Sequence, residues 1–217
     1  MKRLPLTIEN YRATIEGRKT QTRRVIKSEQ IRHADIAQPW KDGRWEFSQS
    51  VGGDDGLLVA VLKPHYLPDE VVALTVPHWR SKSGTVYNPA MDLCVHKRAN
   101  GAVLSYLPGC PIPPPGREAR WRRLPAHLMP LWACLHYVRI LDVRPERLQD
   151  IRPADVAAEG LRLPCDTGED DARAAFAERW DSINAKRGWP WSANPWVWVY
   201  DYCLTTPPYV DTRRPWL

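Results

Sequence analysis

The chain passes from helix to strand at Glu16-Gly-Arg-Lys-Thr-Gln-Thr-Arg-Arg-Val25. Upstream, Thr7 is a good N-cap and apolar residues recur at helical spacing, which predicts a short helix ending at Glu16. Gly17 can adopt the left-handed conformation that stops such a helix. Downstream, residues 18–26 contain no turn residue and carry threonine and arginine at alternating positions, which indicates an extended segment. This stretch therefore places a helix and a strand directly in succession.

The rest of the chain is dominated by strand-like runs with a few short helices. We predict strands near residues 57–62, 70–76, 92–96, 102–106, 134–143 and 196–204, and helices from Pro153 to Gly160 and over 170–187. Residues 28–55 are polar and are expected to be irregular, and five prolines within 107–117 exclude regular structure there. Because the helices are too few to alternate with the strands, we expect an α+β fold with a mostly antiparallel, barrel-like sheet.

The charge and the cysteine content limit the classes of binding partner and the cellular compartment that we expect for this protein. Lys and Arg number 31 against 25 Asp and Glu, a net charge of +6, and part of the excess is clustered at residues 18–27 and 117–123. Such clusters suit phosphate-bearing partners, but a solvated basic face explains them equally well. The five cysteines are scattered, which predicts reduced thiols in a cytoplasmic protein. No apolar run approaches the roughly 20 residues of a membrane span, so no membrane association is expected.

Cys94 and His96 are the nearest approach to a pair of metal ligands. On a strand both would face one side, but no second pair of ligands has fitting spacing. We therefore predict no metal site. The chain also lacks the glycine-rich signatures of dinucleotide and nucleotide binding, so no cofactor is expected.

Residues 16–25 resemble the ASCH family, whose fold is a PUA-like β-barrel and whose motif is a helix-ending Gly-Arg-Lys-Thr followed by Thr-x-Arg. Three further stretches are similar to the branch of the family that phages and prophages carry: Arg144-Pro-Glu-Arg-Leu-Gln-Asp-Ile151, Trp180-Asp-Ser-Ile-Asn-Ala-Lys-Arg187 and Asn194-Pro-Trp-Val-Trp-Val199. The resemblance implies a single domain over residues 1–205, with short flanking helices, a long irregular insertion at about 28–117 and a C-terminal tail at 206–217.

One ASCH subfamily consists of small amidohydrolases that remove acyl groups from the exocyclic N4 of cytosine nucleosides such as N4-acetylcytidine. The site of that subfamily pairs a lysine with a threonine three residues later and adds a distant glutamate. By the resemblance these catalytic residues fall on Lys19, Thr22 and Glu159, with Asp155 the nearest competitor of Glu159. An arginine two residues after the threonine corresponds to Arg24.

The residues around Lys19 suit this chemistry. A threonine hydroxyl needs a neutral base to become a nucleophile, and a lysine can serve if burial or neighbouring cations lower its pKa. Arg18, Arg23 and Arg24 are close to Lys19 in sequence, and we expect these three arginines to bind substrate. Because side chains three apart on a regular strand point to opposite faces, Lys19 and Thr22 meet only if the chain bends between them.

Other interpretations of the same residues remain open. The basic stretch is also typical of a solvated strand, and an acid before Gly160 is typical of an exposed helix end. The enzyme would act on a small-molecule nucleoside without a cofactor. A non-catalytic module would instead bind RNA or a modified base in the same cleft, and a ribonuclease is a third possibility.

Overall fold

The computed structural model describes residues 1–51, 54–97, 103–106, 121–164 and 167–207. Within these residues the chain is of mixed α+β class, with strands in several sheets and few helices. It divides into two compact units. Unit 1 comprises residues 1–17, 71–139 and those from 203 onward, and unit 2 comprises residues 18–70 and 140–202.

In its described residues, unit 1 combines one α-helix with two groups of strands. Its elements are β1 (Arg3–Pro5), α1 (Ile8–Ile15), β6 (Val71–Thr75), β7 (His78–Ser81), β8 (Val86–Asn88), β9 (Leu93–Lys97), β10 (Val103–Tyr106), β11 (Trp121–Leu124) and the first residues of β12 (Tyr137–Arg147). β6 pairs with β1 in parallel and with β12 in antiparallel orientation. The other five strands form a sheet in the order β10-β9-β8-β7-β11. Leu4, Val72 and Leu74 are fully buried in the core of this unit.

The part of unit 2 that the structure describes contains most of the motif stretch and two α-helices. Its elements are β2 (Gln21–Val25), β3 (Ile36–Pro39), β4 (Trp45–Val51), β5 (Asp54–Leu62), the remainder of β12, α2 (Pro153–Ala158), α3 (Glu169–Asn184) and most of β13 (Trp196–Thr205). β13 lies between β12 and β2, and β3, β4 and β5 form a separate sheet. Val197 and Val199 of β13 pack in one core with Phe176 and Trp180 of α3.

Local signals located the helices well. α1 begins after Thr7, whose side-chain oxygen accepts a hydrogen bond from Asn10 N at 3.2 Å, and it ends before Gly17, whose φ is +75°. α2 starts at Pro153 and is followed by Gly160 at φ +89°. The predicted strands near 57–62, 70–76, 92–96, 102–106 and 196–204 are also present as β5, β6, β9, β10 and β13. The mixed α+β class and the mostly antiparallel pairing are confirmed.

The prediction that residues 28–55 are irregular is wrong. This segment contains β3 and β4, which pair with each other and then with β5. Phe47 of β4 is fully buried against Trp196 and Trp198, so a fully buried aromatic residue stabilises a strand whose sequence is largely polar. The expected insertion at 28–117 is therefore rich in strands. β12 also begins later than predicted and continues to Arg147.

Two expectations fall outside the described residues: the proline-rich stretch at 107–117, and the tail 206–217 beyond its first two residues. Within the described ranges, none of the helices is long and apolar enough to cross a membrane.

The N-cap of α1 generates a stability prediction. Thr7→Ala removes the acceptor for Asn10 N, and we expect it to lower the free energy of unfolding by about 1 kcal/mol. Thr7→Ser retains the oxygen and serves as the matched control. Urea unfolding followed by circular dichroism measures both, and equal stability of the two variants would contradict the capping role.

Candidate functional site

Lys19 lies near the start of unit 2, and its backbone pairs with the backbone at the end of α2. Lys19 and Glu159 form an isolated antiparallel bridge, and Thr20 N donates to Ala158 O at 2.8 Å. Glu159 is the C-terminal cap residue of α2, and its own backbone N–H donates to Asp155 O at 2.8 Å. The helix end and the start of β2 are therefore held side by side, although 140 residues separate Lys19 from Glu159.

The Lys19 ammonium is buried and fully hydrogen-bonded. Its side chain is 1% exposed. It donates to Gln21 O at 2.8 Å, to Glu159 O at 2.9 Å and to the Glu159 carboxylate oxygen Oε2. These three acceptors match the three N–H donors of a charged lysine. Burial lowers the pKa of Lys19, although the adjacent Glu159 carboxylate acts in the opposite direction.

Arg23 holds the other oxygen of the same carboxylate. Its Nη1 donates to Glu159 Oε1 at 3.3 Å and to Gln21 Oε1 at 2.5 Å, and its Nη2 donates to Glu146 Oε1 at 2.9 Å. The guanidinium carbon also lies 5.8 Å from the ring centroid of Phe176. Arg23, which the sequence suggested as a substrate ligand, is thus engaged by the protein's own carboxylates, and its side chain is 1% exposed.

Gln21 connects this buried centre to a second layer of charged residues. Its Nε2 donates to Asp155 Oδ1 at 3.1 Å and to Asp201 Oδ1 at 2.7 Å. Arg144 is partly exposed and donates to Asp201 Oδ2 at 2.5 Å. We call this set the ion network: Lys19, Gln21, Arg23, Arg144, Glu146, Asp155, Glu159 and Asp201.

The pKa of Asp155 is lowered. Burial acts to raise it, but hydrogen bonds from Arg152 and Gln21 stabilise the charged form and prevail. Arg152 lies at the exposed rim, with its Nε 3.1 Å from Asp155 Oδ2. Asp155 is therefore an ionised member of the ion network, but it is Glu159 that contacts Lys19.

Thr22 lies on the other face of β2. Directly opposed residues of antiparallel strands share a face, and Thr22 is opposite Tyr200 while Arg24 is opposite Trp198. Tyr200 is buried, and its ring makes a T-shaped contact with the ring of Tyr66, with 5.1 Å between the centroids. The structure therefore brings Lys19, Arg23 and Glu159 together, but it does not place the Thr22 hydroxyl in a hydrogen bond with Lys19.

Arg18 and Arg24, the other two arginines expected to bind substrate, lie in different places from Arg23 and from each other. Arg18 donates through Nη1 to Gly160 O at 3.3 Å, which binds it to the turn that follows α2. Arg24 is half-buried on the same face of β2 as Thr22. Of the three expected substrate ligands, Arg24 is the one that accompanies Thr22.

Sequence reasoning missed Gln21, Arg144, Glu146 and Asp201 as site residues. Gln21 and Arg23 alternate with Thr22 and Arg24, so the alternation of β2 already implied two different faces. Asp201 interrupts an apolar strand, which is a detectable signal of a charge with a partner in the fold.

No group of three or more His, Cys, Asp or Glu side chains within the described ranges is arranged to hold a metal ion. Comparison with protein-family models, with curated proteins and with solved structures finds no match to this chain.

The buried pair generates a stability prediction for Lys19. Lys19→Met leaves the Glu159 carboxylate without its ammonium partner, and removal of one member of a buried pair costs about 3–5 kcal/mol. The double variant Lys19→Met with Glu159→Gln should recover part of that loss, because it also removes the uncompensated charge. Lys27→Met, at an exposed lysine, is the control. Urea unfolding that finds Lys19→Met as stable as the parent would contradict the assignment.

Asp155 generates a prediction for acid stability. Its pKa is lower in the folded protein than its usual value of 3.8. The carboxylate therefore contributes stability above that value, and this contribution is lost as the pH falls further. Asp155→Asn should lower stability at pH 7 and flatten the fall of stability below about pH 4. Asp142→Asn, at an exposed carboxylate of β12, is the matched control. Parallel pH profiles for Asp155→Asn and the parent would refute this role.

Proposed function

We propose that this chain is an ASCH-type protein with a PUA-like barrel, and that it hydrolyses the amide bond between an acyl group and the exocyclic N4 of a cytosine nucleoside. The observation that carries the proposal is the buried contact between Lys19 and Glu159. These are two of the three catalytic residues that the resemblance assigns to the amidohydrolase site, and 140 residues of sequence separate them.

The environment of Lys19 supports a role in proton transfer. Burial lowers the pKa of its ammonium, which favours the neutral amine that a base requires. The adjacent Glu159 carboxylate is within hydrogen-bond contact, so it can take the proton that Lys19 releases. A base and an acid in contact are what amide hydrolysis requires, because one proton leaves the nucleophile and another must reach the departing nitrogen.

Thr22 supplies the nucleophile in this mechanism. Its oxygen bonds to the acyl carbon, its proton passes to Lys19, and the bond from carbon to N4 breaks as N4 receives a proton from Glu159. Water then cleaves the acyl-threonine ester and restores the hydroxyl. In this mechanism Arg24, which shares a face of β2 with Thr22, stabilises the oxyanion. For these steps to occur, Lys19 must give up one of its three hydrogen-bond acceptors and bind the Thr22 hydroxyl when substrate enters.

A second candidate is a non-catalytic module that binds RNA or a modified base. The observation that favours it is the complete set of three acceptors around Lys19, which stabilises a charged ammonium. In that case Lys19 acts as a fixed cation and not as a base. The two functions differ in what an arginine at this position would do.

Variants of Thr22 and Lys19 separate the two functions. With N4-acetylcytidine as substrate and release of cytidine as the measurement, Thr22→Ala should abolish turnover, while Thr22→Ser should retain part of it because the hydroxyl remains. Lys19→Arg should be nearly as damaging as Lys19→Ala, since arginine does not lose its proton near pH 7. Thr20→Ala, at the exposed neighbouring threonine, is the control.

The opposite pattern would support the binding module. Lys19→Arg would then retain RNA affinity, and no variant would release cytidine. Circular dichroism of each variant checks that the fold is intact. If Lys19→Arg hydrolyses the substrate at close to the parent rate, the lysine-base mechanism is wrong.

A further inference from the structure

Arg23 contacts the Glu159 carboxylate on the oxygen that the Lys19 ammonium does not bind. Its Nη1 donates to Glu159 Oε1 at 3.3 Å, whereas Lys19 Nζ donates to Oε2. Each of two cations thus holds one oxygen of the same buried carboxylate. Because Arg23 follows Thr22 directly on β2, the two side chains project from opposite faces of the strand. Arg23 therefore acts on Glu159 from the side away from the proposed nucleophile.

The proposed mechanism makes a particular demand on Glu159. Its carboxylate becomes negatively charged again as it gives its proton to N4, and at that stage Lys19 is bound to the Thr22 hydroxyl. When the acceptor that Lys19 has given up is Glu159 Oε2, the returning charge has lost its ammonium partner. A buried carboxylate without a counter-charge is strongly unfavourable. The Arg23 guanidinium remains in contact with Oε1, so it provides the missing positive charge.

The position of Arg23 does not depend on Lys19. Its guanidinium also donates to Gln21 Oε1 at 2.5 Å and to Glu146 Oε1 of β12 at 2.9 Å, and its carbon lies 5.8 Å from the ring centroid of Phe176 in α3. From α2, Asp155 Oδ2 lies 3.7 Å from Nη2. These contacts hold the guanidinium still while Lys19 changes partners. An arginine also keeps its proton near pH 7, so the charge persists throughout the cycle.

The charge of Arg23 also acts on Lys19. Burial lowers the pKa of Lys19, the adjacent Glu159 carboxylate opposes this effect, and Arg24 and Arg23 act in the same direction as burial. A fixed positive charge beside Lys19 and Glu159 disfavours the binding of protons to this pair. Removing that charge should therefore move the pH range of activity to higher pH.

We propose that Arg23 is a positioning residue of the amidohydrolase site, which holds Glu159 in place and supplies its counter-charge while Lys19 exchanges Glu159 Oε2 for the Thr22 hydroxyl. This inference rests on the proposed function. Arg23 itself does not contact substrate, because its side chain is 1% exposed and lies on the face of β2 away from Thr22. Its removal should consequently lower kcat and leave KM nearly unchanged.

The kinetic test measures release of cytidine from N4-acetylcytidine by the full chain over a range of pH. Arg23→Met should lower kcat about 100-fold, since Glu159 loses its fixed position, and should shift the pH profile to higher pH. Arg23→Lys keeps the charge but not the planar fork, so it should keep the parent pH range and recover only part of kcat. Arg32→Met, at an exposed arginine of unit 2, is the control. A parent kcat and pH profile in Arg23→Met would overturn the proposal.

A second variant separates positioning from folding. Arg23→Met leaves the Glu146 carboxylate without its guanidinium, which endangers the fold. The double variant Arg23→Met with Glu146→Gln removes both charges, so it should fold like the parent by circular dichroism and still show the reduced kcat per folded molecule. Recovery of the parent kcat in this double variant would assign Arg23 a merely structural role.

The compensation of Glu159 is also measurable without substrate. Lys19→Met reproduces a Glu159 that has lost its ammonium partner. With Glu146→Gln present in every protein, Arg23→Met should lower the urea midpoint more in the Lys19→Met background than in its absence. Equal lowering in both backgrounds would overturn the inference even if the parent is an active hydrolase. A parent that releases no cytidine would contradict the proposed function instead, and the inferred role of Arg23 in catalysis would fall with it.

Discussion

The buried contact between the Lys19 ammonium and the Glu159 carboxylate is the interaction on which unit 2 depends. A charged lysine without partners in a protein interior is strongly unfavourable, and the cost falls only when every donor finds an acceptor. Lys19 meets that requirement with Gln21 O, Glu159 O and the Glu159 carboxylate. The requirement also constrains the position of the backbone at Gln21 and Glu159, because two of the three acceptors are the main-chain oxygens of these residues.

The rest of the ion network follows from this pair. The second oxygen of Glu159 is held by Arg23, and Arg23 in turn reaches Glu146 on β12. Gln21 binds Asp155 of α2 and Asp201 of β13 at once. A register shift of β2 by one residue would turn Gln21 and Arg23 away from these carboxylates and leave Thr22 and Arg24 in their place. The network thus specifies one register for β2, whatever chemistry the site performs.

The alternation of β2 separates two environments that a catalytic mechanism has to connect. One face carries charged side chains and abuts the apolar core formed by α3 and β13, and the other carries Thr22 and Arg24 opposite the aromatic residues of β13. Lys19, before the strand begins, is bonded to the charged face through Glu159. In the proposed mechanism its side chain is the group that changes partners, and Thr22 and Glu159 keep their positions.

The sequence by itself determined those features that depend on neighbours along the chain. The limits of α1 and α2 follow from Thr7, Gly17, Pro153 and Gly160, each of which acts within one helical turn. The strand character of β2 follows from its alternation. The resemblance suggested Lys19 from the motif at residues 16–25 and Glu159 from a separate match at the end of α2. β4 escaped prediction because its place in the sheet depends on one buried ring, Phe47, and on strands that it meets only in the fold.

Only the tertiary structure decided which charges meet. Gln21 and Asp201 are 180 residues apart, and Arg144 and Asp201 are 57 apart, so no local pattern links them. The tertiary structure also placed Arg23 among carboxylates and Thr22 on the opposite face of β2. The physical reason is the same in each case. Backbone conformation responds to adjacent residues, whereas the pairing of buried charges and the exposure of a sheet face depend on strand register and burial, which exist only once distant segments have packed together.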